Sequence, residues 1–442
     1  MTLKFGTDGV RGRAFIDLKP EWVTKLAFSA AHTLQSETVV IGTDGRESGP
    51  DFVEALRIGF QAKGLSVWYM GTVPTPALAH AASTHDIAGA MVSASHNPSS
   101  DNGIKLLSAG GKKLNDDAQK QIEEILDSNN FPAFPAADAR IEPTHYHLAG
   151  DWVSFLQASI NGRNLKGISL VVDCANGAVS SFASETLRSL GARVISIHDD
   201  PDGLNINKDC GSTNTRSLQS AVIENNADLG LAFDGDADRV LAIDRSGRVI
   251  DGDFMIAICA EDMKDRKVLN GDTAVVTVMT NLGFHIAMKD RGIQVHQTPV
   301  GDRQVLAALE ENGWSLGGEQ SGHIIFNDLS TTGDGLLTGI QLLDVIKRSN
   351  KGLDELADLA MVRYPQILKQ VNLPRATLNI EELLLDEIAK AEIELGDDGR
   401  ILVRRSGTEP VLRIMVEASS YEIAESTANK LVLEAESHLS EP

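Results

Sequence analysis

Residues 38–71 have the sequence TVVIGTDGRESGPDFVEALRIGFQAKGLSVWYMG, and this stretch establishes the pattern of the whole chain. Residues 38–46 are an apolar run that ends in a glycine turn, which is typical of a buried strand. Residues 51–63 carry apolar side chains at helical spacing, and LSVWYMG (65–71) has strand character again. A strand, a helix and a second strand in succession predict a parallel sheet with a crossover helix.

The same pattern continues along the chain and starts afresh twice. AGAMVSAS (88–95) predicts another buried strand, GISLVVDCANG (167–177) begins a second series, and TAVVTVMT (273–280) begins a third. After about Tyr364 the order becomes strand, helix, strand, strand, helix, which indicates a small α+β domain. The segment FPAFPAADARIEP (131–143) predicts a linker. The predicted domains are three α/β domains at 1–145, 146–250 and 251–363 and an α+β domain at 364–442.

The composition limits the partners and the compartment that suit this chain. Its 442 residues are too many for one compact domain, and its net charge of −22 argues against nucleic acid and anionic membranes as partners. An anionic ligand would therefore need a local cluster of basic side chains and backbone N–H groups. The three cysteines suggest no disulfide framework, and we see neither a signal peptide nor an apolar run of the ~20 residues that span a bilayer. We expect a cytoplasmic protein.

A serine-rich turn, SASHNP (93–98), follows the strand predicted at 88–95. Open α/β sheets bind ligands at the carboxyl ends of their strands, which makes Ser95 a candidate nucleophile beside His96. Such a serine must be activated or must arrive already phosphorylated. The alternative is an ordinary turn in which the Ser and Asn side chains bond to the local backbone.

Three aspartates alternate in DGDADR (234–239), directly after another predicted strand. In an extended turn Asp234, Asp236 and Asp238 point the same way, and three adjacent carboxylates repel unless a cation neutralises them. Oxygen ligands suit Mg²⁺ or Ca²⁺, and the motif lacks the glycine and the distal glutamate of an EF-hand loop. Arg239 would hold a further phosphate oxygen. The alternative is a solvated acidic loop.

Three weaker signals lie in glycine-rich turns. The loop GGEQSGH (317–323) offers Glu319, Ser321 and His323 to sugar hydroxyls, although polar glycine turns are common. FGTDGVRG (5–12) and DNGIKL (101–106) add Arg11 and Lys105, which in isolation are equally well explained as solvated surface residues. VRRSGTEPVLR (403–413) is either a simple hairpin or a phosphate clamp, whose donors would be Arg404, Ser406, Gly407, Thr408 and Arg413.

These six motifs, in this order from residue 4 to residue 413, resemble the α-D-phosphohexomutase superfamily. Within it the chain is most similar to the phosphoglucosamine mutase family, because it shares the GEQSGH loop and VGDR (300–303). Mannose- and glucose-directed relatives tend to carry histidine where this chain has Asp302, and a carboxylate there would favour a sugar amine. Two departures are Ala237, where relatives often have glycine, and Arg405, where they often have proline.

The resemblance implies a fold of three consecutive mixed-sheet α/β domains of shared topology plus a smaller C-terminal α+β domain around a central cleft. It implies the conversion of glucosamine 6-phosphate to glucosamine 1-phosphate through phosphorylated Ser95 and a 1,6-bisphosphate, which also serves as a possible primer. This reaction feeds UDP-N-acetylglucosamine and cell-wall precursor synthesis. The alternatives are a phosphomannomutase/phosphoglucomutase, a Mg²⁺-dependent sugar phosphatase and a regulator without catalysis. A monomer or a homodimer is expected.

The resemblance also assigns roles to particular residues. One Mg²⁺ per site is held by Asp234, Asp236, Asp238 and the phosphate on Ser95. The groups near the transferred phosphate are Arg11, Lys105, His96, Arg239 and His323. The substrate-binding residues are Glu319, Ser321, Asp302, Arg303 and the clamp at 404–413. Lys105 is the favoured proton acceptor, ahead of Arg11 and His323, and that role requires a lowered pKa.

Overall fold

The computed structural model describes residues 3–6, 8–136, 141–373, 380–406 and 410–440. The chain forms two compact units, of which the first comprises Met1–Met279 and Gly292–Ala360 and the second Thr280–Arg291 and Met361–Pro442. Within the described ranges, none of the helices combines the length and the apolar character that crossing a membrane requires. The described residues between Ser128 and Leu148, where a linker is predicted, contain no helix or strand.

The first sheet has six strands in the order β1-β5-β4-β2-β3, with β6 paired to β5. Strand β2 lies between β3 and β4 and runs parallel to both, whereas β5 is antiparallel to β4 and to β1. The elements are β1 (Val10–Arg13), α1 (Pro20–Ala30), β2 (Thr38–Thr43), α2 (Gly49–Gln61), β3 (Ser66–Thr72), α3 (Thr75–Thr84), β4 (Ala88–Val92), β5 (Asp101–Ser108), β6 (Lys112–Lys113) and α4 (Asp116–Ser128).

The second sheet has five strands in the order β11-β10-β9-β7-β8. Strand β7 lies between β8 and β9 and is parallel to both, and β10 is antiparallel to β9. The elements are α5 (Leu148–Ala158), β7 (Ser169–Asp173), α6 (Ala183–Ser189), β8 (Arg193–Ile197), α7 (Arg216–Glu224), β9 (Leu229–Phe233), β10 (Val240–Asp244) and β11 (Val249–Ile250).

The third sheet has four strands in the order β13-β12-β14-β15. Strand β12 is parallel to β13 and β14, and β15 is antiparallel to β14. The elements of this part of the chain are α8 (Gly252–Asp265), β12 (Thr273–Thr277), α9 (Leu282–Asp290), β13 (Gln294–Thr298), α10 (Asp302–Asn312), β14 (Leu316–Gly318), β15 (Ile324–Phe326), α11 (Gly335–Ser349) and α12 (Leu353–Ala360).

All three sheets have one topology, which confirms the predicted shared α/β fold. In each, the first long strand lies between the next two strands and parallel to both, and a fourth strand is antiparallel at the third strand's outer side. The inner parallel strands β2, β7 and β12 are buried apolar runs, whereas the outer strands β8 and β13 are partly exposed. Their carboxyl ends open at one edge, where α/β sheets place ligands.

The second unit contains an antiparallel sheet in the order β16-β18-β17, which confirms the predicted C-terminal α+β fold. The helix predicted at 380–395 is divided in two at Leu384. The apolar core includes Leu412, Ile414, Val416 and Leu431. The elements are β16 (Gln366–Asn372), α13 (Ile380–Leu383), α14 (Leu385–Leu395), β17 (Arg400–Arg405), β18 (Val411–Glu417) and α15 (Tyr421–Ser440).

Candidate active site

The turn after β4 holds Ser95 in a backbone conformation that serine rarely adopts, with φ of 52°. The Ser95 N–H donates to Ser93 Oγ at 2.8 Å, and Ser93 Oγ donates to Asp44 at 2.7 Å. The Ser95 hydroxyl donates to Asp234 Oδ2 at 2.6 Å. The turn therefore directs Ser95 Oγ at the aspartate motif, although 139 residues separate the two positions.

Arg46 is a buried support of the serine turn that sequence analysis did not identify. Its guanidinium forms an ion pair with Asp44 at 2.8 Å and donates to the carbonyl oxygens of Ser95 at 3.0 Å and Asn97 at 2.8 Å. Asn207 Nδ2 donates to the same two carbonyls at 2.8 and 3.0 Å. The only local signal was a charged pair at the end of an apolar strand, which a solvated turn would also produce.

The three aspartates after β9 converge in a fully buried cluster. Carboxylate oxygens of Asp234, Asp236 and Asp238 lie within 4.8 Å of one another. Burial, with repulsion from Asp238 and Asp236, raises the pKa of Asp234 well above its usual value. The Oδ1 atoms of Asp236 and Asp238 are buried without hydrogen-bond partners among the described residues. These unpaired oxygens fit a divalent cation with oxygen ligands.

Ala237 lies between two of these aspartates with φ of 56°, a conformation that favours glycine. This accounts for the glycine that relatives often carry at the position. The side chain is completely buried, and its carbonyl oxygen accepts the Gly335 N–H at 3.0 Å. The surrounding structure therefore holds the alanine in this conformation.

Lys105 lies among carboxylates rather than among cations. Its Nζ is 2.7 Å from Asp236, 2.9 Å from Asp238 and 2.8 Å from Asp8. Burial by itself would lower the pKa of Lys105, but these three carboxylates outweigh it and raise the pKa well above the usual value. Without a cation the pKa of Lys105 is thus raised, chiefly by Asp236 and Asp238, and the lowered pKa that proton acceptance requires stays a prediction for the state with a cation on these aspartates.

A cavity of about 450 Å³ adjoins the serine turn. Arg11 donates to Asp8 at 2.7 Å and to Asn97 at 3.4 Å. Burial, together with Arg239 and Arg11, lowers the pKa of His96 to about 4, so this imidazole is neutral at pH 7. The cavity is lined by Lys4, Gly6, Asp8, Gly9, Arg11, His96, Arg239, Val300, Gly301, Asp302 and Glu319.

The loop between β14 and β15 contributes Glu319 and Ser321. Glu319 lines the cavity and accepts the Gly301 N–H at 3.1 Å. Ser321 Oγ is buried and has no hydrogen-bond partner in the described part of the chain. A buried hydroxyl of this kind costs stability unless a ligand satisfies it, so the loop suits a polar ligand.

His323 lies behind this loop and is 1% exposed. Its Nε2 accepts the Gly333 N–H at 3.3 Å, which leaves the proton on Nδ1, 3.7 Å from Asp238 Oδ1. It does not line the cavity of about 450 Å³. His323 thus lies beside Asp238 and away from that cavity, and its predicted catalytic role stays a prediction.

Asp302 and Arg303 each form an ion pair with another side chain. Asp302 forms an ion pair with Lys113, a partly buried residue that sequence analysis did not identify, and Lys113 also lies 3.1 Å from Asp8. The guanidinium of Arg303 pairs with Asp116 and is absent from the lining of the cavity that Asp302 borders. The Asp302 carboxylate is therefore bound to Lys113 and is not free to pair with a sugar amine.

In the second unit, Arg404 on β17 lies directly opposite Arg413 on β18. Burial and the charge of Arg413 lower the pKa of Arg404. Opposed like charges destabilise a sheet unless an anion lies between them, which supports a phosphate site. The Ser406 N–H donates to Val411 O at 2.9 Å, and Arg405 N–H donates to Glu381 at 2.7 Å. Gly407 and Thr408 lie outside the described residues.

Comparison with known families gives four successive matches. They are Phosphoglucomutase/phosphomannomutase alpha/beta/alpha domain I over residues 2–133, domain II over 150–247, domain III over 251–364 and the C-terminal domain over 348–434.

Solved structures of this superfamily have the same fold. A phosphoglucomutase/phosphomannomutase family protein from Burkholderia thailandensis is 25% identical, covers 97% of both chains and has a TM-score of 0.81. The N-acetylphosphoglucosamine mutase of Aspergillus fumigatus, solved with GlcNAc-6P and magnesium, is 17% identical, with a TM-score of 0.70, over 100% of this chain and 96% of that chain. The second likeness concerns the fold alone.

Relatives with curated names are much more similar. The chain is 44% identical over 442 residues to the phosphoglucosamine mutase of Oceanobacillus iheyensis, with 98% of this chain and 99% of the relative covered. It is 46% identical over 448 residues to that of Frankia alni, with 98% and 97% covered. Identity at this level over the full length shows common family membership: the chain belongs to the phosphoglucosamine mutase family.

Proposed function

We propose that this protein interconverts glucosamine 6-phosphate and glucosamine 1-phosphate through a phosphoserine at Ser95. The observation that carries the proposal is the 2.6 Å hydrogen bond from Ser95 Oγ to Asp234, one of three buried aspartates. The bond brings a candidate phosphoryl carrier and a candidate cation site together. The full-length likeness to phosphoglucosamine mutases supports the substrate.

We infer that Asp234, Asp236, Asp238 and the Ser95 phosphate would hold one Mg²⁺. The cluster suits it because its ligands are hard oxygens and two of them have no hydrogen-bond partner in the described structure. Bound there, Mg²⁺ supplies charge neutralisation to the phosphate. The Thr75 hydroxyl donates to Asp236 Oδ2 at 2.6 Å and helps to orient that carboxylate.

The first half-reaction transfers the phosphoryl group from Ser95 to the sugar. The C1 hydroxyl oxygen of glucosamine 6-phosphate attacks the phosphorus, the bond from phosphorus to Ser95 Oγ breaks, and the sugar becomes the 1,6-bisphosphate. The hydroxyl proton leaves during attack, and Ser95 Oγ regains a proton. Arg11 and Arg239 line the adjoining cavity, where their positive charges stabilise the equatorial phosphoryl oxygens.

The second half-reaction uses the other end of the same intermediate. The bisphosphate turns around, Ser95 Oγ attacks the phosphorus at C6, the bond to the C6 oxygen breaks, and glucosamine 1-phosphate leaves. The phosphoserine is thereby restored. We propose that Arg404, Ser406, Gly407, Thr408 and Arg413 bind whichever phosphate is idle, so that both orientations of the sugar are accepted.

We propose that Lys105 accepts the hydroxyl proton when a cation neutralises Asp236 and Asp238, the two carboxylates 2.7 and 2.9 Å from its Nζ that otherwise raise its pKa. His96 Nδ1 lies 3.4 Å from Ser95 Oγ, and the neutral imidazole with its proton on Nδ1 donates to the serine oxygen, whose own proton goes to Asp234. Glu319 and Ser321 contact the sugar hydroxyls. Asp302 acts as half of a neutral pair with Lys113 at the border of the cavity.

The proposed reaction suits a cytoplasmic enzyme, a monomer or a homodimer, that acts on phosphosugars. All three cysteines are free and buried, as expected in a reducing compartment. The proposed product would feed UDP-N-acetylglucosamine and cell-wall precursor synthesis. Gel filtration with light scattering tests the oligomeric state.

The test is a coupled assay with Mg²⁺, a trace of sugar 1,6-bisphosphate and the 6-phosphates of glucosamine, mannose and glucose in parallel. We expect the fastest turnover with glucosamine. Ser95→Ala should abolish turnover, whereas Ser100→Ala, an exposed serine in the same turn, should leave it unchanged. Ser95→Ala activity above a few per cent of wild type would contradict the carrier role.

The other outcomes separate the alternatives. Faster turnover of mannose or glucose phosphate would keep the phosphoserine chemistry and overturn the substrate. Release of inorganic phosphate without isomerisation would indicate a phosphatase and overturn the mutase assignment altogether.

A further inference from the structure

A second cluster of metal-binding side chains lies at the carboxyl ends of β7 and β8. Asp173 ends β7, His198 directly follows β8, and Cys210 precedes the short turn Gly211–Thr213. One donor atom from each of the three side chains lies within 4.8 Å of the other two. Donors of a tetrahedral zinc ion, at bond lengths of about 2.0 to 2.3 Å, are roughly 3.3 to 3.8 Å apart, so small side-chain shifts suffice.

The donors are oriented as ligands require. Asp173 Oδ1 accepts the Ala175 N–H and Oδ2 accepts the Gly211 N–H, both at 2.9 Å, which fixes the carboxylate. His198 Nδ1 is buried and 3.1 Å from Asp173 Oδ2, and its contact with this carboxylate raises the pKa of His198. An ion at this point would replace the Nδ1 proton between the imidazole and the carboxylate.

Burial favours a metal site over a reactive thiol. Asp173 and Cys210 are completely buried, whereas the His198 side chain is 29% exposed and offers a route from solvent. Burial, together with Asp173, raises the pKa of Cys210 to about 12, so the thiol is not a nucleophile at neutral pH. The sulfur accepts a hydrogen bond from Asn176 Nδ2 at 3.9 Å, and a divalent ion that displaces the thiol proton would give the buried thiolate a counter-charge.

We propose that Asp173, His198 and Cys210 bind one divalent ion of the zinc class. Sulfur and nitrogen donors select such an ion, whereas the three aspartates near Ser95 offer only oxygen. Three protein ligands leave a fourth position for water. The proposal stands independently of the proposed mutase function, because the two clusters share no residue.

The ion would fasten the segment that supports the phosphoserine turn. Asn207 lies three residues before Cys210; its N–H donates to Ala175 O at 2.9 Å and its Nδ2 donates to Ser95 O at 2.8 Å. Ala175 follows Asp173 by two residues. An ion that joins Asp173 to Cys210 thus adds a second link beside the hydrogen bond between Ala175 and Asn207. Because Asn207 also holds the Ser95 carbonyl, zinc is expected to raise the melting temperature of the protein.

The experiment is a titration of the full-length protein with Co²⁺ in saturating Mg²⁺, which occupies the all-oxygen site. A bound thiolate gives an intense near-ultraviolet charge-transfer band that oxygen ligands do not give. We expect one equivalent of Co²⁺ to produce the band and one equivalent of Zn²⁺ to abolish it. Cys210→Ala should lose the band, and His198→Ala should bind Co²⁺ at least about 100-fold more weakly.

Two controls isolate the site. Cys259→Ala removes a buried cysteine in α8, and Asp234→Asn alters the other cluster, so both should keep the band. The proposal is overturned if the wild type shows no band, if Cys210→Ala keeps it, or if Asp234→Asn removes it. Should Cys210→Ala fail to fold, the partly exposed His198→Ala decides, since unchanged affinity there overturns the site. None of these readouts depends on mutase activity.

Discussion

Lys113, whose side chain is 13% exposed, lies between two carboxylates that come from distant parts of the chain. Its Nζ pairs with Asp302, 189 residues away, and lies 3.1 Å from Asp8. A buried ion pair is costly to break from one side, because the remaining charge has no partner. The pair therefore ties the N-terminal motif to the start of α10.

Lys113→Met should lower the free energy of unfolding by about 3 kcal/mol, since the buried Asp302 loses its cation, whereas Asp8 keeps Arg11 and Lys105. Combining it with Asp302→Asn should restore part of that loss, because one orphaned charge is removed. Urea denaturation of the single and double variants measures this coupling.

Lys112→Met is the matched control for this substitution. The neighbouring lysine is 54% exposed and pairs with Glu310 at the surface, so its loss should cost less than about 1 kcal/mol. Equal losses in the two variants would contradict a structural role for the buried pair.

At the scale of elements, the turns at the carboxyl edges of the sheets carry the candidate chemistry, and glycines allow their close approach. Gly322 has φ of 89°, and a Cβ there would lie 2.1 Å from the carbonyl oxygen of Val240. The Val240 N–H also donates to Gly322 O at 3.1 Å. The loop that carries Glu319 and Ser321 is thus pressed against β10.

Gly322→Ala should destabilise the protein and raise the KM for glucosamine 6-phosphate, because the loop must move away from β10. Gly313→Ala is the matched control, since Gly313 has φ of 66° but no atom within 4 Å of an added Cβ. Both variants incur the roughly 1–2 kcal/mol of left-handed backbone strain.

Only Gly322→Ala adds the clash with the Val240 carbonyl. We expect this clash to lower the free energy of unfolding by about 2 kcal/mol more than Gly313→Ala does, as measured by urea denaturation. An unchanged KM in Gly322→Ala would separate this loop from substrate binding.

The hairpin of β17 and β18 places two arginines on one face. Without an anion, Arg404→Gln should stabilise the protein by up to about 1 kcal/mol, since the repulsion from Arg413 is relieved. The same change should weaken substrate binding, so stability and KM should move in opposite senses. Thermal unfolding with and without phosphate, together with steady-state kinetics, measures both.

Arg405→Gln is the control for this prediction. Arg405 is the next residue along the strand, and it pairs with Glu381 at 3.7 Å. Its replacement should leave KM close to the wild-type value. If Arg404→Gln leaves KM unchanged as well, the hairpin is not a phosphate clamp.

At the scale of the whole molecule, each compact unit is held by its own buried carboxylate. Glu417, completely buried in the second unit, accepts hydrogen bonds from Asn281 at 3.0 Å and Arg400 at 3.0 Å. Asp344 in the first unit accepts from Arg163 at 2.7 Å and Arg348 at 2.9 Å. We expect calorimetry to resolve more than one transition, as is usual for chains of several cores.

Glu417→Ala should lower one calorimetric transition by roughly 10 °C or more, because about 3 kcal/mol is a large loss for a small unit. Asp344→Ala should lower the other transition by only a few degrees, because that unit is much larger. A single transition that both variants shift equally would show that the two units unfold together.

Local pattern was sufficient for much of this protein. Apolar β-branched runs predicted strands such as β2, β7 and β12, because burial on both faces of a parallel sheet demands them. The three aspartates at 234–238 were recognisable because alternation in an extended turn brings neighbours in sequence together in space. Ser95 was recognisable by its place directly after a strand.

Only the tertiary structure decided which distant side chains contact Ser95 and the other candidate site residues. Arg46 and Asn207 meet at the carbonyl of Ser95 from 49 and 112 residues away, and Lys113 reaches Asp302. Such contacts leave no local periodicity, since they arise where separate sheets pack and bring distant turns to one edge. The charge state of Lys105 follows the same rule, because carboxylates contributed by other turns set its pKa.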